Sequence, residues 1–456
     1  MDRGRARASI EVGPVGPHLF RMIKPREYAR RRKQLMSMAG DGGVVLLRAA
    51  PHRVRNSDVF YPYRQHSDFL YLTGFREPDA TLVLLPEDGG GRSILFCRER
   101  DPNKELWDGA MIGTEAAVTD YGMDEAYDVV ELERRLPELL QDRVRVYHDL
   151  GRDVDFDHLL IGWLNDFRGK PRRRFHAPEE IVELGHLLHE MRLFKSRGEL
   201  AAMRKAGRIS SRAQVRAMQR CRPKLTEAHI HAELVHEYMI NGCEPAYPPI
   251  VGGGENACVL HYIANDQPLR DGDLLLIDAG CEYDGYASDI TRTFPVNGRF
   301  SGAQRALYEV VLTAQERAID AVREGAQWDD LHDAAVEALT DGLIDLGILA
   351  GDREEAIEQG LFENYYLHKT GHWLGLDTHD VGDYQVDGHS RALEPGMVLT
   401  IEPGVYIRAD DRRVDQRWRG LGVRIEDDVV VTRDAPEVLT RHVPKAIDEI
   451  EALMAG

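Results

Sequence analysis

Residues 273–296 read DLLLIDAGCEYDGYASDITRTFPV. An apolar run, Leu274–Ile277, ends on an acid, Asp278; a short CEYDG segment follows, and the chain runs out again through YASDITRTFPV. The Asp284-Gly285 step favours the tight turn of an antiparallel hairpin, whose central residues need positive φ. The hairpin so predicted puts Asp289 on the strand next to the one that Asp278 ends, so the two carboxylates can face each other across the ladder. Two like charges in an apolar setting are costly unless a cation compensates them. Either aspartate alone reads as a solvated turn or edge residue, the commoner use of this side chain. The rest of the chain decides between the readings.

On the N-terminal side of the hairpin, helices are predicted from Ser196 to Gln219 and from Thr226 to Gly242, where glycine can supply a left-handed cap. On the C-terminal side they are predicted for Ser301–Glu324, Asp329–Leu346 and Arg353–Tyr366, before the chain returns to strands in MVLTIEPGVYI (397–407) and LGVRIEDDVVVT (421–432). Strand pair, helices and strand pair predict an α+β domain, with antiparallel sheet at the centre and helices outside. Farther upstream, residues 43–150 alternate short apolar runs (GGVVLL, ATLVLLP, RSILFC, RVRVYHDL) with Gly, Pro and helix-like segments, an α/β pattern. A basic, Pro-containing loop between Arg168 and His189 marks the boundary. The predicted division is a flexible arm 1–18, a smaller α/β domain 19–189 and an α+β domain 190–456.

The chain has 456 residues, 43% hydrophobic and 30% charged, the composition of a soluble globular protein. Against 58 Lys and Arg stand 77 Asp and Glu, a formal charge of −19 that would repel nucleic-acid phosphates and anionic lipid. Neither nucleic acid nor membrane is an expected partner. The arginine-bearing N-terminus has no continuous apolar segment behind it and does not read as a secretory signal. Five cysteines without CxxC spacing argue against a disulfide framework or a thiolate zinc site, and for a reducing cytoplasm.

Residues 368–382, HKTGHWLGLDTHDVG, hold His368, His372 and His379 among glycines, and Glu402 and Glu426 are acids embedded in apolar strand patterns. In the second of these, Arg424 and Glu426 alternate with Val423 and Ile425 and so share a face. An Arg424–Glu426 ion pair would explain one acid. Four acids and a histidine in such contexts point to metal. Asp278, Asp289, His372, Glu402 and Glu426 form an oxygen-dominated set suited to two divalent cations of the harder kind, Mn²⁺ first and then Co²⁺ or Zn²⁺. Two such cations about 3.5–4 Å apart can hold a hydroxide between them and clamp a carbonyl oxygen, which makes metal-assisted hydrolysis the implied reaction class.

DAG followed by SDITRTFPV, then HWLGLDTHDVG, LEPGMVLTIEPGVYI and GVRIEDDVVVT, resemble the ordered motifs of the pita-bread metallopeptidases, most closely the bacterial aminopeptidase P family, which removes an N-terminal residue preceding proline. YPYRQHSDFLYLTGFREPDATLVLLP resembles that family's creatinase-like N-terminal domain, and HEMRLFKSRGELAAMRKAG its junction with the catalytic domain. The resemblance implies that Asp278 is a bidentate ligand of one metal, Asp289 bridges both, His372 binds the other, and Glu402 and Glu426 complete the cluster. It also implies that His261 and His368 lie near the substrate, that His379 hydrogen-bonds the reacting peptide, that Arg424 orients neighbouring ligands, and that Tyr406 lies close by. Glu402 is the candidate proton shuttle toward the prolyl nitrogen. Asp58 and Trp107 match positions that approach the substrate mouth in tetrameric relatives, Trp107 from a neighbouring subunit, so a homo-oligomer, dimer or tetramer, is implied. Lys369 departs from the pattern, which usually has glycine there.

The remaining signals carry less. GGGEN (252–256) lacks the GK[ST] of a phosphate loop, and His231 and His236, five residues apart, fit no HExxH motif. KPRRR (170–174) reads as a contact loop in an acidic protein. Two other functions remain open: a dipeptidase for Xaa-Pro dipeptides using the same metals, and a non-catalytic pita-bread binding module, which would be expected to have lost ligands.

Overall fold

Two separate sheet systems arise from the apolar runs, each closed by helices whose starts are written in the sequence. The computed structural model describes residues 22–169 and 176–456; the predicted arm 1–18 and the KPRRR loop 170–174 lie outside them. The first system is a six-stranded mixed sheet in the order Glu125–Asp128, Arg92–Cys97, Thr81–Leu85, Gly43–Arg48, Arg145–Tyr147, Glu180–Val182. Its alternation divides two faces. Val44, Leu46, Val83, Leu85, Ile94 and Phe96 pack on helices Leu132–Leu140 and Val154–Arg168. Val45, Leu47, Leu82, Leu84 and Leu95 belong instead to a core that runs on into the C-terminal domain.

That second domain is the expected α+β, antiparallel in every strand pairing. Ile250–Gly253, Leu274–Asp278 and Thr291–Pro295 form one sheet, and Val398–Ile401, Asp427–Val430 and Glu437–Val438 another. Helices Arg197–Arg220, Glu227–Met239, Gly302–Ala321 and Trp328–Asp345 flank them. Ser196 and Glu199 close a reciprocal capping box at the first helix, and Ser301 and Gln304 do so at the third. Ala202, Ala206, Ala213 and Ala217 give the first helix a buried small-residue face.

The Asp-Gly hairpin is present: Asp284 (φ 53°) and Gly285 (φ 89°) turn the chain so that Tyr283 opposes Tyr286. Three details differ from the sequence reading. Asp289 is not on a strand; the register pairs Asp278 with Thr291, and Asp289 sits in the irregular link between the hairpin and that strand. The helix read over 353–366 stops at Glu358, with Gly360 left-handed at φ 64°, and resumes only as a short turn, Leu361–Asn364. Each long C-terminal strand is two strands. Val398–Ile401 pairs with Asp427–Val430, whereas Gly404–Ile407 pairs with Leu421–Arg424. Pro403 has no N–H to extend a ladder, and the Glu426 N–H leaves the hairpin to bond Thr291 O at 3.0 Å.

The link that carries Asp289 passes so close to Gly280 that a Cβ there would lie 1.6 Å from the Ser288 carbonyl oxygen. Gly280→Ala therefore requires the backbone to move, at a cost of about 1–3 kcal/mol or more. Chemical denaturation should show that loss, and a variant as stable as the parent would refute the close approach.

Candidate metal centre

The centre is assembled where strands end. Asp278 is the last residue of its strand, and Tyr247 Oη lies within hydrogen-bond reach of both Asp278 Oδ1, at 2.6 Å, and Asp289 Oδ1, which share its single proton. One hydroxyl thus brings together the two carboxylates that the ladder does not place opposite each other. His372 enters from the loop before the second sheet, its N–H bonded to Thr400 Oγ1 at 3.1 Å. Its Nδ1 lies 2.9 Å from Trp373 O, which makes Nδ1 the donor and leaves Nε2 free to ligate. That Nε2 is 3.5 Å from Asp289 Oδ2 and 3.7 Å from Glu402 Oε1. Ligand atoms of Asp289, His372 and Glu426 all lie within 4.8 Å of one another, as a shared cation requires.

Glu426 and Arg424 both reach the centre although a break in the strand separates them. Thr291 Oγ1 accepts from Arg424 Nε at 3.1 Å and donates to Glu426 Oε2 at 2.7 Å, while Arg424 Nη2 donates to Asp278 Oδ2 at 2.7 Å. Arg424 Nη1 bonds Tyr406 Oη at 2.8 Å, and that hydroxyl lies 2.8 Å from His368 Nε2. Behind Glu426, Arg292 holds the Glu426 carbonyl at 2.6 Å and Asp427 Oδ1 at 2.7 Å. The backbone on both sides of Glu426 is thereby pinned.

Burial and mutual repulsion dominate the electrostatics. Burial raises Glu402 to about 7, helped by Asp289 and Asp278 and opposed by His372 and Arg424. Glu426 is pushed well above the carboxylate range by burial and then by Asp289, Glu402 and Asp278. Asp278 moves up by burial; Asp289 moves down because His372 and Tyr247 outweigh its burial. Burial acts to lower His372, but Asp289 and Glu402 win and raise it to about 9. Four carboxylates crowd around one guanidinium and one imidazole, and the upward shifts of Glu402 and Glu426 mean that these two cations do not satisfy all four acids. Divalent cations fit that deficit, and a donor set of carboxylates with one imidazole fits hard ions.

The other sequence-derived residues divide into two groups. The exposed ring of His379 stands edge-on to His372 with centroids 4.4 Å apart. His261 is exposed yet close enough to bear on the charges of both His368 and His379. Burial lowers His368 to about 4, so it is neutral at pH 7. Asp58 lies in the turn of the exposed hairpin Val54–Phe60, and Trp107, 88% exposed, on helix Pro102–Asp108. Neither bonds to the cluster within the chain, among the described residues. Lys369 is exposed, and its carbonyl accepts from His368 Nδ1 at 2.8 Å.

Sequence reasoning missed Tyr247, Thr291 and Asp428, whose carboxylate accepts the Asp289 N–H at 3.1 Å. Tyr247 lies in a proline-flanked loop with no periodicity to read. The alternation Thr291-Arg292-Thr293 was a usable signal, since both threonine hydroxyls bond Arg424 from one face.

The family model of metallopeptidase family M24 matches residues 201–433, and that of the aminopeptidase P N-terminal domain matches residues 28–147. The chain belongs to metallopeptidase family M24, its pita-bread domain preceded by an aminopeptidase P N-terminal domain. It is 46% identical to the Xaa-Pro aminopeptidase of Escherichia coli strain K12, over 95% of this chain and 98% of that one. It is 36% identical to Xaa-Pro aminopeptidase 3 of Homo sapiens, over 97% and 88%. The solved structure of aminopeptidase PepP from Pseudomonas aeruginosa superposes with a TM-score of 0.93 at 52% identity, covering 95% of this chain and 98% of that one. Zinc-substituted E. coli aminopeptidase P in complex with product superposes at 0.92 with 46% identity and the same coverage.

Two predictions follow from the geometry. Thr291→Val keeps the shape but removes the hydroxyl between Arg424 and Glu426, so divalent-metal affinity should fall about 10–100-fold in a chelator-competition titration. Glu402, Glu426 and His372 hold protons more tightly than usual in the metal-free protein, and ligation requires their loss. Metal uptake should therefore release protons and tighten as pH rises, with Glu402 contributing near 7 and His372 near 9. Calorimetry in buffers of different ionisation enthalpy measures the release, and a buffer-independent heat would contradict it.

Proposed function

We propose that this chain is a dinuclear-metal Xaa-Pro aminopeptidase, releasing the N-terminal residue from peptides with proline in second position. The observation that carries the reading is the convergence of Asp289, His372 and Glu426, whose ligand atoms lie within 4.8 Å of one another and among which burial and the neighbouring acids raise Glu426 well above the carboxylate range, in a chain 46% identical to an enzyme of that name along nearly its whole length. Asp278, Asp289, His372, Glu402 and Glu426 would hold two divalent cations, and we take Mn²⁺ as the metal. When bound, such cations supply Lewis acidity, lowering the pKa of water and polarising a carbonyl oxygen.

The protein's own groups do the rest. Glu402, at the edge of the cluster, accepts the attacking water's proton and delivers it to the prolyl nitrogen. His379 donates to the peptide at the reacting carbonyl. His261 and His368 hold the substrate beside it, and the Arg424–Tyr406–His368 chain of hydrogen bonds fixes the ring of His368. The prolyl nitrogen has no N–H to recognise, so selection falls to a surface shaped to the ring.

The wider reading belongs to the same proposal. The N-terminal domain is taken as 19–189 and the catalytic domain as 190–456. The exposed Asp58 and Trp107 are taken to approach the substrate mouth in a homo-oligomer, Trp107 from a neighbouring subunit. Five free cysteines support a reducing, cytoplasmic setting. Among the described residues no helix is long and apolar enough to cross a membrane.

Purified protein loaded with Mn²⁺ should release the first residue of Xaa-Pro-Yaa tripeptides, lose that activity in chelator, and cleave Xaa-Pro dipeptides less well. Preference for the dipeptide would make it a prolidase instead. A folded, metal-loaded sample without either activity would sink the reading. Asp289→Asn should abolish both cleavage and the second equivalent of bound metal.

A further inference from the structure

The His379 ring makes no hydrogen bond among the described residues, and it is exposed. No hydrogen bond fixes the direction of the imidazole; apart from its edge-on contact with His372, its placement comes from the backbone that carries it. That backbone is tied from both sides. Arg192, on helix Gly185–Leu193 between the two domains, donates through Nη2 to Asp377 Oδ2 at 2.8 Å and to Asp380 Oδ1, the carboxylates two residues before and one residue after His379. Its Nη1 donates to Asp68 Oδ1 at 2.7 Å, on helix Ser67–Thr73 of the N-terminal domain. The arginine is 2% exposed, Asp68 3% and Asp380 1%.

Other groups complete the clamp. Lys195 Nζ donates to Asp380 Oδ2 at 3.0 Å, and Ser67 Oγ donates to Asp377 Oδ1 at 2.6 Å. Arg64 bonds Ser67 Oγ at 2.8 Å and the Leu376 carbonyl at 2.6 Å. Gly375 closes the loop so tightly that a Cβ would meet Asp380 Oδ2 at 2.1 Å.

We propose that Arg192 is a positioning residue for His379: a single guanidinium that ties the loop bearing this histidine to the N-terminal domain and so sets the direction of its ring. The inference rests on the reading of His379 as a group that contacts the peptide. Stability alone is a poor explanation of the network, because buried ion networks add little over apolar packing of the same volume. A planar fork holding three carboxylates fixes direction, which an ammonium or an apolar side chain would not do. The N-terminal domain thereby bears on the chemistry through the placement of His379.

The test uses Arg192→Lys, which keeps the charge and loses the fork. With tripeptide substrate and Mn²⁺, kcat should fall about 10–100-fold, the effect of roughly an ångström of misplacement, with KM within about threefold. In a His379→Ala background the same substitution should cost less than about threefold more, because both changes remove one function. Losses that multiply, or an unchanged kcat, would overturn the proposal. If Arg192→Lys does not fold, Asp377→Asn replaces it, since that side chain is 41% exposed; its expected loss of kcat is about 3–10-fold, again vanishing without His379. Should the parent protein cleave no tripeptide, the functional reading fails, and the clamp is judged by the His379 NMR signal. A signal shifted or broadened in Asp377→Asn supports it, and one unchanged from the parent refutes it.

Discussion

Carboxylates crowded into a buried site repel, and the architecture of the C-terminal domain is a means of holding them there against that repulsion. Tyr247 spans Asp278 and Asp289, Arg424 reaches Asp278, and Thr291 passes a hydrogen bond from Arg424 to Glu426. These contacts do not neutralise the charge. Glu402 and Glu426 remain shifted upward, and His372 is drawn into the ionised state by the acids beside it. A site built at such electrostatic cost is poised for cations, whose binding replaces repulsion with coordination.

Holding the acids requires strands to end where ligands begin. Asp278 closes one strand, Glu402 follows Val398–Ile401, and Glu426 falls between Leu421–Arg424 and Asp427–Val430. Inside a regular ladder, successive side chains point to opposite faces and only alternate residues could reach the centre. At the breaks, Pro403 and the diversion of the Glu426 N–H to Thr291 free the backbone from that alternation. Arg292, bonded to Asp427 and to the Glu426 carbonyl, compensates for the rigidity lost at the break.

The two domains are also less separable than their sheets imply. One hydrophobic core includes Val45 and Leu47 of the first sheet together with Ile209, Leu275 and Val423 of the second domain. Arg31 of the N-terminal domain meets Glu199 at 3.1 Å, both buried, and Glu199 also accepts from Tyr286 at 3.0 Å. The same residue thus caps the first helix of the C-terminal domain and receives charge from the other domain.

Much of this was legible in the residues. The capped helices, the Asp-Gly hairpin, the α+β order and the types of the four acids and the imidazole follow from local signals: a capping box, a turn needing positive φ, an acid ending an apolar run. Those signals act over a few residues and survive in the linear text. Tyr247, Asp428 and the clamp of Arg192 on Asp68, Asp377 and Asp380 were not legible, because each joins segments far apart in the chain and no periodicity marks them. The register that pairs Asp278 with Thr291 rather than with Asp289, and the splitting of the two long strands, were likewise settled by hydrogen bonds between distant backbones. The sequence by itself determined which chemistry is present, through residue types and their near neighbours. Only the tertiary structure decided how those groups face one another, because direction and distance between buried charges depend on backbone paths that no local preference specifies.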